Sequence, residues 1–185
     1  MNDLLPQAYL IGLIVLLGGA SFVVGRQILR VRRDEQTLVR LGGVTRAAEA
    51  PQDAATLYEL ASVQLRKRLY VQAADTLKQA LKLADAEQVP DEARALIENA
   101  LGFALAAEGK YPAAVRHYRS ALRAKADYPV ALNNLAYALE KQSKPEEARE
   151  LYEQVLQLEQ GNRTASKRLR LLERRSGVNG TDKAA

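Results

Sequence analysis

The stretch YPVALNNLAYALEKQSKPEEARELYEQVLQLEQGN, residues 128–162, decides how the chain is read. Leu132, Leu135, Ala136 and Leu139 recur at the i, i+3, i+4, i+7 spacing of one helical face. Ala148, Leu151, Tyr152, Val155, Leu156 and Leu158 outline a second apolar stripe. Between the stripes, Ser143 and Glu146 stand at the spacing of a capping box. Pro145 falls in a first helical turn, where a missing N–H costs nothing, and Glu146 and Glu147 favour a positive helix end. The pattern predicts two antiparallel helices joined by a short turn.

A lone hairpin of this size cannot bury its apolar stripe, so the pattern must recur. Upstream, Leu101, Gly102, Ala114, Tyr118 and Ala121 stand 34 residues before Leu135, Ala136, Ala148, Tyr152 and Val155. Thirty-four is the tetratricopeptide period, with small residues where the helices of a hairpin cross and bulkier ones filling the gap. Leu60, Ala61, Tyr70, Ala73, Leu77 and Ala80 supply a third copy, displaced by 41, so the first junction holds seven extra residues. The expected fold is all-α: three repeats over 53–162 (about 54–87, 95–128 and 129–162) and a capping helix over 163–175 with Leu169, Leu171 and Leu172 on its apolar side. The small polar residues 176–185 read as a disordered tail. At the first junction Pro90, Asp91 and Glu92 read as a helix start, so the second repeat either begins a turn early or follows a longer loop.

Residues 4–24, LLPQAYLIGLIVLLGGASFVV, carry no charge. A helix of that length is about 31 Å long and matches the ~30 Å hydrocarbon core of a bilayer. No Lys or Arg precedes the run, whereas Arg26, Arg30, Arg32 and Arg33 follow it. That asymmetry predicts a transmembrane anchor over 1–25 rather than a cleaved signal peptide, with the N-terminus lumenal and the repeats on the cytoplasmic or stromal side. Ile28, Val31, Leu38 and Leu41 extend a basic juxtamembrane helix, Gly42 and Gly43 break it, and a linker runs to residue 52 before Asp53 caps the first repeat.

The net charge of +5 is unevenly placed: residues 26–46 carry +4, residues 163–175 carry +5, and the remainder carries −4. A lipid bilayer with anionic headgroups is a sufficient partner for Arg26, Arg30, Arg32 and Arg33. Nucleic acid is not expected, because no aromatic platform accompanies the basic runs. The basic capping helix reads either as a solvated face or as a contact for an acidic protein.

No catalytic constellation, cofactor motif or metal site emerges, and no small-molecule substrate is expected. The chain has no cysteine, and His117 is its single histidine, expected at the surface. Stacked hairpins instead offer a concave surface lined by the first helix of each repeat. The register places Tyr58, Ser62, Leu65 and Arg66, then Asn99, Phe103 and Ala106, then Asn133, Tyr137, Glu140 and Lys141 along that groove. Aromatic rings with amide side chains suit an extended peptide or a partner helix.

The anchor and stalk ending RQILRVRRDEQTLVRL, the extended first junction and YPVALNNLAYALEK together resemble one family. It is the photosystem I assembly family of cyanobacteria and plastids called hypothetical chloroplast open reading frame thirty-seven, whose land-plant relative is pale-yellow-green-seven. The resemblance implies a single-pass thylakoid protein that holds photosystem I subunits or assembly intermediates. The alternative is a general membrane-tethered co-chaperone or quality-control adaptor that binds many peptides.

Overall fold

A computed structural model describes residues 53–181, together with residues 21–22 and 26–27. The expected anchor, apart from residues 21–22, lies outside the described residues, as do Arg30, Arg32, Arg33, the linker to residue 52 and residues 182–185. Among the described residues no helix is long and apolar enough to cross a membrane. The chain divides into two compact units, Met1–Ala50 and Pro51–Ala185; the second contains every element below.

That unit is a tetratricopeptide superhelix of seven helices, with no strand among the described residues. The helices are α1 (Ala54–Arg66), α2 (Tyr70–Glu87), α3 (Asp91–Ala107), α4 (Tyr111–Ala124), α5 (Pro129–Lys141), α6 (Pro145–Leu158) and α7 (Arg163–Thr181). Each packs on the one before and the one after it, and the first helices of successive hairpins also touch, α1 with α3 and α3 with α5.

The 34-residue rows become layers of the core. Ala73, Ala114 and Ala148 are all fully buried, because only a methyl group fits where the two helices of a hairpin cross. One turn further on, Leu77, Tyr118 and Tyr152 fill the wider gap and are equally buried. Gly102 shows how tight the crossing is: a Cβ there would sit 2.6 Å from Tyr118 Cε1. The repeats are also joined edge to face, since the Tyr70 ring meets Phe103 at 6.4 Å and 71°.

The seven extra residues of the first junction lie in helix. α2 has 18 residues against 14 in α4 and α6, and α3 has 17 against 13 in α1 and α5. The linker between α2 and α3 is no longer than its counterpart, so the insertion lengthens two antiparallel helices by about one turn each. Arg94 Nη1 bridges them at 2.6 Å from Asp85 Oδ1. The longer α2 also brings Glu87 to the start of α1, where both carboxylate oxygens accept from the Ala54 N–H at 3.3 Å. Asp53 caps the same helix end at 2.6 Å from the Thr56 N–H, and its bonds to Thr56 hold its carboxyl below the usual carboxylate range. This helix end is satisfied by two acids.

The hairpin turns share one design. Arg68, Gly109 and Ser143 precede the N-caps of α2, α4 and α6 and adopt φ of 60°, 79° and 59°. The next residue then donates five residues back, Leu69 to Gln64, Lys110 to Leu105 and Lys144 to Leu139, which closes the preceding helix in a Schellman arrangement. The expected capping box at Ser143 and Glu146 is therefore corrected. Ser143 is committed to the left-handed turn, Lys144 is the N-cap, and α6 has no side-chain cap bond. The cause is the shared turn, since α2 and α4 start at the same place after Leu69 and Lys110 with no proline directly behind the N-cap; at α6 Pro145 adds to it by disfavouring helical conformation at Lys144.

At the C-terminus, Ala165 and Leu172 of α7 are buried against the last repeat, and Leu169 packs beside them. The helix runs to Thr181, past the end at residue 175 expected for the capping helix.

Candidate functional site

The first helices of the second and third repeats turn one side chain per turn away from the core. On α3 and α5 these include Phe103, 43% exposed, the half-buried Asn133 and Tyr137, and the exposed Lys141. Phe103, Asn133 and Tyr137 line one cleft of about 460 Å³ with Ala106, Ala107, Tyr111 and Asn134, and the buried Tyr118 and Tyr152 rings reach its floor. Its far wall comes from α7, which contributes Thr164 and Arg168.

Arg168 organises that wall. Its guanidinium carbon lies 4.6 Å from the centroid of the Tyr137 ring, and Lys141 Nζ, one turn along α5, lies 5.4 Å from the same centroid. Arg168 Nη1 also stands 3.5 Å from Glu140 Oε2, while Glu140 Oε1 accepts from the Tyr152 hydroxyl at 2.7 Å. Burial, reinforced by Glu140, pushes the Tyr152 hydroxyl well above the usual phenol range, so it remains a donor. One carboxylate thus ties the core of the third repeat to the capping helix, and one arginine presents a cation beside an aromatic ring.

The asparagines have a different part. Asn99 is buried; its Nδ2 donates to the Tyr128 hydroxyl at 3.3 Å, and its Oδ1 accepts from Asn134 Nδ2 at 3.0 Å. One repeat on, Asn133 Nδ2 donates to Asn162 Oδ1 at 3.4 Å, and Asn162 Oδ1 also accepts from the Ala165 N–H at 3.0 Å. The two bonds are the same contact 34 residues apart, joining each first helix to the start of the next. Asn99 spends its amide within the protein, whereas Asn133 Oδ1 has no partner among the described residues and borders the cleft.

The first repeat stands apart from this cleft. Tyr58 and Ser62 are half-buried and Arg66 is exposed, and none of the three lines it. Tyr58 lies near Tyr128, whose hydroxyl is pushed up by burial and then by that neighbour. Sequence reasoning did not single out Arg168 within the basic capping helix, read either as a solvated face or as a contact for an acidic protein. The signal was present, since Arg168 stands three residues after Ala165 and four before Leu172, on the packing side of α7. His117, expected at the surface, is half-buried, and its Nδ1 lies 2.7 Å from Oε2 of the buried Glu98. Of the basic residues expected at a membrane surface only Arg26 is described, its guanidinium 5.9 Å from the Phe22 ring.

Comparison with known proteins places this architecture. Residues 94–161 match the family model described as tetratricopeptide repeat. The chain is 32% identical over 173 residues to the uncharacterized protein ycf37 of Guillardia theta, covering 93% of this chain and 94% of that one. It is 32% identical over 161 residues to the chloroplastic tetratricopeptide repeat domain-containing protein PYG7 of Arabidopsis thaliana, covering 87% of this chain but 52% of PYG7, about half its length. Among solved structures, the first tetratricopeptide domain of Spaghetti (RPAP3), bound to an HSP90 peptide, superposes with a TM-score of 0.62 at 23% identity. That match covers 68% of this chain and 94% of that one, and it shows the fold alone.

Proposed function

The chain belongs to the family of ycf37 and PYG7, and from that premise we infer that it is a membrane-anchored scaffold assisting assembly or stability of photosystem I at the thylakoid membrane. One observation carries the reading. The alignment with ycf37 of Guillardia theta is longer than the repeats and capping helix together, so the similarity extends into the N-terminal segment that holds the uncharged run 4–24. That run is the proposed single-pass anchor, with the N-terminus lumenal and the repeats on the cytoplasmic or stromal side.

The cleft supplies the grip. An apolar side chain of a photosystem I subunit packs between Phe103 and Tyr137, while Asn133 Oδ1 and the Arg168 guanidinium pair with polar groups beside it. The anchor confines the scaffold to the membrane in which its partner is assembled, raising the effective concentration of each for the other.

Affinity isolation from mildly solubilised photosynthetic membranes tests this reading. Photosystem I polypeptides are expected with the intact chain and depleted with Phe103→Ala/Tyr137→Ala; recovery of unrelated proteins alone refutes it. Promiscuous peptide binding with normal photosystem I levels in a deletion strain would instead identify a general adaptor. Protease added to vesicles with the cytoplasmic face outward should digest the repeats, and protection there contradicts the topology.

A further inference from the structure

The capping helix has a second face. Arg163, Lys167, Arg170 and Arg174 follow one another at intervals of four, three and four residues, which keeps them in register with the helical turn. All four are exposed, on the side of α7 opposite the buried Ala165 and Leu172. They form a straight row about 16 Å long at 1.5 Å per residue. Some cations of the repeats are compensated, Lys110 by Glu108 and both Arg119 and Lys144 by Glu147. None of the four in the row forms an ion pair among the described residues.

We propose that this row on α7 is a docking surface for the anionic headgroups of a lipid bilayer, a second membrane contact besides the proposed anchor. A protein partner would be expected to need a large apolar or aromatic anchor at the centre of its contact. Among the described side chains of the repeat unit the exposed large apolar ones are Leu69, Val71, Leu96, Phe103, Val130 and Leu158, none of them on the stretch 163–175 of α7. A headgroup layer needs no such anchor, because it meets a row of cations with charge at any lateral register. The apolar side of α7 is already spent on the last repeat, so the contact is electrostatic, does not insert, and leaves the fold intact. It rests on the anchor reading only in that the anchor keeps a bilayer within reach.

The test uses the full chain reconstituted into vesicles of phosphatidylcholine, with or without about one third phosphatidylglycerol. Acylation of lysine amines is followed by mass spectrometry, comparing Lys167 in the row with the exposed Lys82 on α2. Lys167 should react about threefold more slowly relative to Lys82 in anionic vesicles and not in neutral ones, and about 0.5 M salt should remove the difference. The triple variant Arg163→Gln/Arg170→Gln/Arg174→Gln should lose the protection with an unchanged melting temperature. An unchanged Lys167 to Lys82 ratio overturns the proposal. Slowing by soluble polyglutamate but not by anionic vesicles also overturns it, assigning the row to an acidic protein. Flotation with neutral vesicles reads the anchor separately, so failure of either contact is recognised on its own.

Discussion

Replacing Ser143 by glycine should make the repeat domain more stable, although it deletes a side chain and adds none. Ser143, Arg68 and Gly109 hold the same place in three hairpins and the same left-handed backbone, yet only Gly109 suits it. An L-residue in that region costs about 1–2 kcal/mol, and glycine returns about 0.4–1 kcal/mol of this as extra entropy of the unfolded chain. The net expectation for Ser143→Gly or Arg68→Gly is a gain of about 0.5–1 kcal/mol, and for Gly109→Ala a loss of similar size. Nothing lies within 4 Å of a Cβ built on Gly109, so that loss is conformational rather than steric. Urea unfolding of residues 51–185 followed by far-ultraviolet circular dichroism reads the effect. For a slope near 2 kcal/mol/M the midpoint should rise by about 0.3–0.5 M for each substitution to glycine. The two gains should add, because the turns are distant and share no partner. A lowered midpoint for Ser143→Gly, or a raised one for Gly109→Ala, refutes the reasoning.

Alkaline pH should unfold the domain early. Burial pushes the Tyr118 and Tyr152 hydroxyls above the usual phenol range, so their stabilisation is complete below about pH 10 and is lost as pH rises beyond it, by about 1.4 kcal/mol per pH unit for each. Tyr128, also raised by burial, adds to the slope, so Tyr118→Phe should lower it without abolishing it in urea titrations from pH 9 to 11; an unchanged slope contradicts the assignment. Gly102→Ala should destabilise by about 1 kcal/mol, because displacing the Tyr118 ring costs about 1–3 kcal/mol while the helix regains about 1 kcal/mol, and a raised melting temperature would count against it. His117→Ala leaves the buried Glu98 carboxylate without its 2.7 Å partner and should cost about 1–3 kcal/mol, read by calorimetry against the exposed-site control Lys82→Ala. Ala148→Arg should prevent cooperative unfolding altogether, whereas an unchanged melting temperature would refute the register of the repeats.

The repeat was legible because it is written in residue size. Alanine at 73, 114 and 148 and a bulky residue four positions later report helix crossing directly, and no other local feature produces that spacing twice. The cap at Ser143 was misread because serine and Glu146 satisfy the local rule for a box, while the competing demand comes from closure of α5 by the turn that also closes α1 and α3. Arg168 was not singled out, and His117 was placed at the surface, for a related reason: a charged or polar residue on a packing face is hidden by its type until its partner, Glu140 or Glu98, is brought close by the fold. The first-repeat residues Tyr58, Ser62 and Arg66 follow the groove register, but the cleft is completed by α7 at the other end of the array.

The lengthened first junction limits how this protein can change in length. Two helices that each gain about one turn keep their packing faces in phase, since four residues rotate a helix only about 40° past a full turn. The 34-residue register on either side is undisturbed. A gain or loss of two residues in one of these helices would rotate its face by about 200° and expose the buried side. Length variation at this junction is therefore quantised: it should come in steps of about seven residues shared between two helices, and intermediate lengths should be excluded by packing before any partner is met.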